Sequence, residues 1–204
     1  REYREHRVTS PARHGASAKL GTNGIVVGVV GASRVGRRVL DLLVNLDVSV
    51  LLADPYVTGE EAAALGPAKT TLEELLRVSD IVTRHAPALP ETRQMIGKEQ
   101  VAEMKDEAVL INTARGALID TDALIAELRT GRIEAVLDVT DPEPLPRDSP
   151  LFDLPNVQLT PHIAGAMGNE VPRLLEQAVA EVERLAAGLP LSHPVTAADL
   201  TKIA

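Results

Sequence analysis

Short apolar segments alternate with longer amphipathic segments along most of this chain of 204 residues. The apolar segments have the length of buried strands, and the stretches between them repeat their apolar residues with the spacing of a helix. This alternation is typical of βαβ units, in which helices connect parallel strands and cover both faces of the sheet. The pattern therefore predicts an α/β fold with a doubly wound parallel sheet.

The elements of this fold can be assigned to individual segments. Strands are predicted at 25–30, 49–53, 81–84, 109–112, 135–138 and 157–160, with a minimal strand within 68–70. Helices are predicted at about 34–46, 60–65, 71–78, 98–104, 121–129 and 170–187. The segment 141–155 carries five prolines, so it is predicted to contain no regular element and to wrap the surface.

Composition narrows the classes of function. The net charge of −8 and the small set of aromatic residues, Tyr3, Tyr56 and Phe152, argue against a nucleic-acid partner. The longest apolar run, Ile25–Val30, is too short to span a bilayer, so a soluble protein without a membrane partner is expected. The chain has no cysteine, which is compatible with a reducing compartment and favours a cytoplasmic location.

A glycine-rich turn follows the first predicted strand and opens the first long helix. In its sequence GASRVG, Gly31 permits a tight turn and Gly36 permits close packing, but Ser33 replaces the second glycine of the dinucleotide fingerprint. Asp54 lies 18 residues beyond Gly36, where a carboxylate accepts hydrogen bonds from ribose hydroxyls and repels a 2′-phosphate. These residues favour NAD over NADP, although a plain tight turn and a turn-forming aspartate stay open as alternatives.

Three further blocks carry groups with complementary chemistry. INTARG contains Arg115, DPEPLP contains Glu143 and TPHIAG contains His162. An arginine can hold a carboxylate, an acid can favour the charged form of an imidazole, and a histidine can transfer a proton to a carbonyl oxygen. The histidines and acids lack the short spacing of metal ligands, so no metal is expected.

The order and spacing of these blocks resemble the D-2-hydroxyacid dehydrogenase family over nearly the whole chain. The matching blocks are GASRVG, LADPY, SDIVTRHAPALPETRQMIG, AVLINTARGALIDTDALIAEL, GRIEAVLDVTDPEPLP and LPNVQLTPHIAG. The resemblance implies a Rossmann fold and an NAD-dependent oxidoreductase that transfers a hydride between NAD(H) and a 2-hydroxy or 2-oxo acid. A non-catalytic, NAD-sensing interaction module similar to corepressors is the alternative.

The resemblance also implies roles for particular residues. Arg115 would grip the substrate, His162 would act as general acid, and Glu143 would hydrogen-bond the imidazole. Asp138 would accept the nicotinamide carboxamide. The implied cofactor-binding residues are Gly31, Ser33, Arg34, Val35, Gly36, Asp54, His85, Ala86, Pro87, Thr92, Thr113, Ala114, Arg115, Asp138, His162, Ala164 and Gly165. Arg84 departs from the family, which usually has an apolar residue there.

Three parts of the chain are expected from the same resemblance. Residues 1–20 resemble an inter-domain leader, residues 21–167 form the NAD-binding domain, and residues 168–204 form a C-terminal helix and return segment. The resemblance also implies that most of the family's substrate-binding domain is not in this sequence, so these residues alone are expected to bind NAD weakly and to be almost inactive. Because family members pair through the cofactor domain, a homodimer is expected.

Overall fold

The computed structural model describes residues 21–197 together with Asp199, so the predicted leader lies outside the described residues. Seven parallel strands form one sheet in the order β3-β2-β1-β4-β5-β6-β7. The strands are β1 (Ile25–Val30), β2 (Val48–Ala53), β3 (Ala68–Lys69), β4 (Ile81–Arg84), β5 (Val109–Asn112), β6 (Glu134–Leu137) and β7 (Val157–Leu159). This is the predicted doubly wound sheet of a Rossmann fold.

Helices connect these strands. They are α1 (Arg34–Leu43), α2 (Gly59–Leu65), α3 (Leu72–Val78), α4 (Lys98–Glu103), α5 (Thr121–Leu128) and α6 (Glu170–Ala186). Single turns of 3-10 helix occur at Pro90–Thr92, Gly116–Leu118 and Pro150–Phe152. The last of these turns lies within the segment predicted to have no regular element, where the Ser149 hydroxyl accepts the Leu151 N–H.

The strand order places β1 between β2 and β4, so the chain reverses its direction of winding at β1. In open parallel sheets, ligands bind beyond the carboxyl ends of the strands at such a point. The two faces of the sheet are covered by separate apolar clusters, one with Leu75, Leu110 and Leu124 at its centre and one with Val29 and Leu40. These clusters fix the carboxyl edge of the sheet, where the candidate residues lie.

Helix α1 is shorter than predicted. The periodicity of its apolar residues continues to Leu46, but the helix ends at Leu43. The side chain of Asn45 donates to the carbonyl oxygens of Asp41 and Leu42, which satisfies groups that a longer helix would bond internally. Side-chain capping therefore ends this helix three residues before its apolar pattern stops.

Helix α6 has no buried residue in the described part of the chain. Its predicted apolar face is exposed to solvent and comprises Val171, Leu174, Leu175, Val179, Val182 and Leu185. Apolar side chains at helical spacing usually pack against another element, so this surface is a candidate for contact with a further segment or chain. Among the described residues, no helix combines the length and the apolar character that a bilayer crossing requires.

Candidate active site

The turn between β1 and α1 can be built only with glycine at two positions. Gly31 has a φ of 94°, and a Cβ atom there would lie 2.5 Å from the backbone nitrogen of Ala86. A Cβ atom at Gly36 would lie 2.1 Å from the carbonyl oxygen of Gly31. The backbone therefore closes tightly at the start of α1, where the free N–H groups of a helix attract a phosphate.

The serine in this turn has a structural partner of its own. The Ser33 hydroxyl caps α1 by accepting the N–H of Gly36 at 3.3 Å, so one N–H of the helix start is already bonded. Arg34 and Val35, the first two residues of the helix, are exposed beside the turn. The departure from glycine thus changes how the helix start can receive an anion without changing the fold.

Asp54 lies at the carboxyl end of β2 and contacts this turn directly. Its Oδ2 atom accepts the N–H of Ala32 at 2.7 Å, and its Oδ1 atom accepts the N–H of Tyr56 at 2.7 Å. Asp54 also lines a cavity of about 310 Å³ together with Val30 and Met95. The carboxylate is held in place by backbone groups at the edge of a space that can receive part of a ligand.

The segment after β4 contacts the glycine turn through residues 85 and 86. His85 is 6% exposed, and its Nε2 atom lies 3.0 Å from the Thr83 hydroxyl. Burial, followed by the charge of Arg84, lowers the pKa of His85 to about 4, so the imidazole is neutral at neutral pH. Ala86 is buried beside it, in contact with Gly31. His85 therefore packs against the residues that form the turn.

Thr92 forms hydrogen bonds within the same segment. Its hydroxyl donates to the Pro87 carbonyl oxygen at 2.6 Å and accepts the Leu89 N–H at 2.8 Å. These bonds fix the shape of the loop beside the cavity lined by Asp54. Direct contact of Pro87 and Thr92 with a cofactor stays a prediction.

Arg115 extends from a turn at the carboxyl end of β5. The Asn112 side chain donates to the Arg115 carbonyl oxygen at 2.9 Å and accepts the Ala114 N–H at 3.2 Å. A Cβ atom at Gly116 would lie 2.0 Å from the carbonyl carbon of Thr140, so this turn packs against the segment that follows β6. Arg115 is exposed, while Thr113 and Ala114 are half-buried.

The structure brings His162 and Glu143 together. The Nδ1 atom of His162 lies 2.7 Å from Oε1 of Glu143, although 19 residues separate them in the sequence. His162 has a φ of 53°, and its N–H donates to the carbonyl oxygens of Asp138 and Thr160. Half of the His162 side chain is exposed, so the other ring nitrogen, Nε2, is available for a proton transfer.

Asp138 holds the loop that carries His162. Its carboxylate accepts the Thr160 hydroxyl at 2.5 Å and the N–H groups of Ile163 and Ala164 at 2.8 Å each. Burial alone would raise the pKa of Asp138, but these hydrogen bonds and the charge of His162 hold that pKa below its ordinary value. Both carboxylate oxygens of Asp138 are thus hydrogen-bonded within the protein. Ala164 and Gly165 are exposed.

Three supporting residues were not identified from the sequence, namely Asn112, Gly116 and Thr160. Gly116 follows Arg115 directly, so its position beside the arginine was the available signal. The bonds of Asn112 and Thr160 depend on turns whose geometry the sequence pattern does not specify. Among the described residues, no group of three or more His, Asp or Glu side chains is arranged to hold a metal ion.

A doubly wound parallel sheet, a glycine turn that opens a helix and an acid at the end of β2 define a dinucleotide-binding protein. Residues 1–164 match the family described as D-isomer specific 2-hydroxyacid dehydrogenase, NAD binding domain. The chain belongs to this family. The predicted family, fold class and NAD cofactor are therefore confirmed.

Similar proteins include enzymes and solved structures. The chain is 38% identical to D-3-phosphoglycerate dehydrogenase of Archaeoglobus fulgidus, over 84% of this chain and 33% of that protein. It is 40% identical to glyoxylate reductase of Korarchaeum cryptofilum, over 75% of this chain and 46% of the relative. The crystal structure of D-lactate dehydrogenase with NAD+ from Lactobacillus jensenii superposes with a TM-score of 0.75 and 32% identity, covering 84% of this chain and 56% of that one. The chain spans about a third of the length of the phosphoglycerate dehydrogenases that it matches.

Proposed function

We propose that this chain forms the coenzyme-binding part of an oxidoreductase that transfers a hydride between NAD(H) and a 2-hydroxy or 2-oxo acid. The observation that carries the proposal is the pairing of His162 with Glu143 at 2.7 Å. The pair follows β6 and β7, at the same carboxyl edge of the sheet as the glycine turn and Arg115. An acid–base group, an anion-binding arginine and a dinucleotide turn thus share one edge.

The residues at the turn fit a dinucleotide. The absence of Cβ atoms at Gly31 and Gly36 lets the turn close tightly at the start of α1, where helix N–H groups can receive a pyrophosphate, and Asp54 lines the adjoining cavity. We assign the ribose hydroxyls of the adenosine to Asp54, whose charge also disfavours a 2′-phosphate. When bound, the nicotinamide supplies or accepts the hydride.

The side chains supply binding and proton transfer. In the direction of reduction, the carbonyl carbon of the 2-oxo acid accepts a hydride while Nε2 of His162 donates a proton to the carbonyl oxygen, which yields the 2-hydroxy acid. Glu143 accepts a hydrogen bond from the Nδ1–H group and stabilises the imidazolium before the transfer. Arg115 binds the substrate carboxylate, because its planar fork can donate two parallel hydrogen bonds.

The relatives support an enzyme acting on a small acid. Those named above are two dehydrogenases and a reductase, with phosphoglycerate, glyoxylate and D-lactate in their names. This favours the dehydrogenase over the NAD-sensing module. The test is a spectrophotometric assay of the full-length protein with NADH and a panel of 2-oxo acids. Oxidation of NADH with at least one acid, lost in the His162→Asn variant, is expected; no turnover with any acid would reject the proposal.

We also propose a homodimer and a cytoplasmic location. The six exposed apolar side chains of α6 support self-association, and the absence of cysteine is compatible with the cytoplasm. Residues 21–167 would form the NAD-binding domain and residues 168–204 the C-terminal helix and return segment. Light scattering of the wild type and of a Leu175→Glu variant tests the dimer: the wild type should have twice the monomer mass, and the variant should be monomeric.

A further inference from the structure

Arg84 is a buried cation that has no hydrogen-bond partner among the described residues. It is the last residue of β4 and is 0% exposed. In the described part of the chain, its Nε, Nη1 and Nη2 atoms are all buried without a hydrogen-bond acceptor. Burial lowers the pKa of Arg84 to about 9, which still leaves the guanidinium charged at neutral pH. A buried charge that lacks a partner is strongly unfavourable, so this arginine requires an explanation.

The position of Arg84 in the sheet connects it to the candidate cofactor site. It lies beside Val30 of β1, the residue that immediately precedes Gly31, and the His85 N–H donates to the Val30 carbonyl oxygen at 2.8 Å. The backbone of residues 85 and 86 abuts the turn so closely that a Cβ atom at Gly31 would overlap it. The backbone of Arg84 therefore lies next to the turn, at the point where the winding of the sheet reverses.

The charge of Arg84 acts on this neighbourhood because protein surrounds it in place of water. A charge in a low-dielectric interior interacts over longer distances than one at the surface. Its effect is visible at His85, where the Arg84 charge is the second cause of the lowered pKa. The His85 side chain in turn lies under Gly36, because a Cβ atom there would be 3.2 Å from the His85 Cβ.

We expect this turn to bind an anion less tightly than a turn with the complete glycine fingerprint. Ser33 replaces the second glycine, and its hydroxyl occupies the N–H of Gly36. We propose that the buried charge of Arg84 strengthens binding of the cofactor's pyrophosphate at this turn and so offsets the replacement of glycine by Ser33. The inference rests on the cofactor site proposed above. It makes Arg84 a positioning residue that acts on an anion through the intervening turn.

The proposal predicts opposite effects on stability and on affinity. In Arg84→Leu, the unpaired charge is removed from the core, so the melting temperature should rise. The affinity for ADP-ribose, which contains the pyrophosphate, should fall about tenfold, while the affinity for adenosine, which lacks it, should stay the same. Isothermal titration calorimetry of the full chain with both ligands and with NADH, together with thermal unfolding, measures these quantities.

Arg77→Leu is the matched control, because it removes an arginine that is 53% exposed and paired with Glu74 and Glu103. It should leave the affinity for ADP-ribose unchanged. Unchanged ADP-ribose affinity in Arg84→Leu would overturn the proposal, and so would an equal loss for adenosine, which would indicate a change in pocket shape. If the wild type binds neither NADH nor ADP-ribose, the cofactor site itself is rejected, and the inference with it.

A second pair of variants keeps the test decisive if Arg84→Leu does not fold. Arg84→Lys retains a positive charge and Arg84→Gln removes it, while both keep a polar end. The lysine variant should bind ADP-ribose more tightly than the glutamine variant by a factor of several. Equal affinities of these two variants would overturn the proposal.

Discussion

The Nδ1 atom of His162 lies 2.7 Å from Oε1 of Glu143, and the backbone N–H of the same histidine donates to the carbonyl oxygen of Asp138. The imidazole is thus oriented by one acid through its ring and by the segment after β6 through its backbone. Because Nδ1 is bonded to the carboxylate, Nε2 is the ring nitrogen from which a proton would reach the proposed substrate. The geometry therefore separates the group that orients the ring from the nitrogen that transfers the proton.

Replacement of Glu143 by glutamine should slow the chemical step. The amide keeps the size of the side chain but has no charge with which to stabilise the imidazolium, so kcat should fall by roughly 10²-fold. The KM for NADH should change little, because Glu143 is not assigned to the cofactor. Steady-state kinetics of Glu143→Gln in the full-length protein measures both quantities.

The same change at Glu99, an exposed residue of α4, provides the control and should leave kcat at the wild-type value. Glu143→Asp should retain more activity than Glu143→Gln because it keeps the charge. A Glu143→Gln variant with wild-type kcat would remove Glu143 from the catalytic group.

Replacement of Gly36 by alanine should disrupt the glycine turn. The added Cβ would lie 2.1 Å from the Gly31 carbonyl oxygen, which is a backbone atom that cannot move without opening the turn. We expect a loss of about 2–3 kcal/mol in the free energy of unfolding, together with weaker NADH binding. Urea denaturation and titration calorimetry check these effects.

Gly59→Ala is the matched control for this substitution. Gly59 is the first residue of α2, and a Cβ there meets no atom within 4 Å. Alanine favours a helix over glycine by about 0.5–1 kcal/mol, so this variant should be as stable as the wild type or slightly more stable. Equal stability of Gly36→Ala and Gly59→Ala would show that the turn tolerates a side chain.

The sequence predicted the sheet well because the strands of a parallel sheet depend on local patterns. Buried strands are short apolar runs, and the predicted bounds of β1, β4 and β5 agree with the structure. The end of α1 was placed too late because the side-chain cap made by Asn45 has no apolar signature. The partners of buried polar groups are equally hidden from the sequence.

Arg84 illustrates this limit most clearly. Its departure from the family pattern was visible in the sequence, yet a strand pattern does not tell which acceptors surround a side chain. Within the part of the chain that the structure describes, Arg84 is fully buried and has no hydrogen-bond acceptor, and its inferred role depends on this property. Asp138 illustrates the same limit, since its bonds to Thr160, Ile163 and Ala164 form only when the loop after β7 folds back.

Replacement of Asp54 by alanine should weaken discrimination between NADH and NADPH. The wild type should bind NADH more tightly, because the carboxylate accepts ribose hydroxyls and repels a 2′-phosphate. In Asp54→Ala the affinity for NADH should fall by about 10- to 100-fold, and the affinity for NADPH should fall less. Fluorescence titration with both cofactors gives the ratio of dissociation constants.

Asp47→Ala removes an exposed acid just before β2 and should leave that ratio unchanged. Part of the loss in Asp54→Ala will come from the turn, since the carboxylate also accepts the N–H of Ala32. The ratio of the two affinities separates these effects because damage to the turn weakens both cofactors alike. Tighter binding of NADPH than NADH by the wild type would contradict the assignment.

The buried imidazole of His85 should make the protein less stable in mild acid. Its pKa in the folded protein is lowered to about 4, whereas an unfolded histidine has a value near 6.5. Between these two values the unfolded chain binds a proton that the folded chain does not. The contribution of His85 to the free energy of unfolding is therefore fully present above about pH 6.5 and is lost as the pH is lowered toward 4. This difference corresponds to about 3 kcal/mol.

The His85→Gln variant isolates this contribution, because glutamine does not titrate and can still bond to Thr83. Urea denaturation of wild type and variant at several pH values between 4 and 7 should give curves that diverge, with the variant depending less on pH. Parallel curves for the wild type and His85→Gln would mean that His85 accepts a proton as readily in the folded protein as in the unfolded chain. That result would reject the assignment of a neutral imidazole to His85.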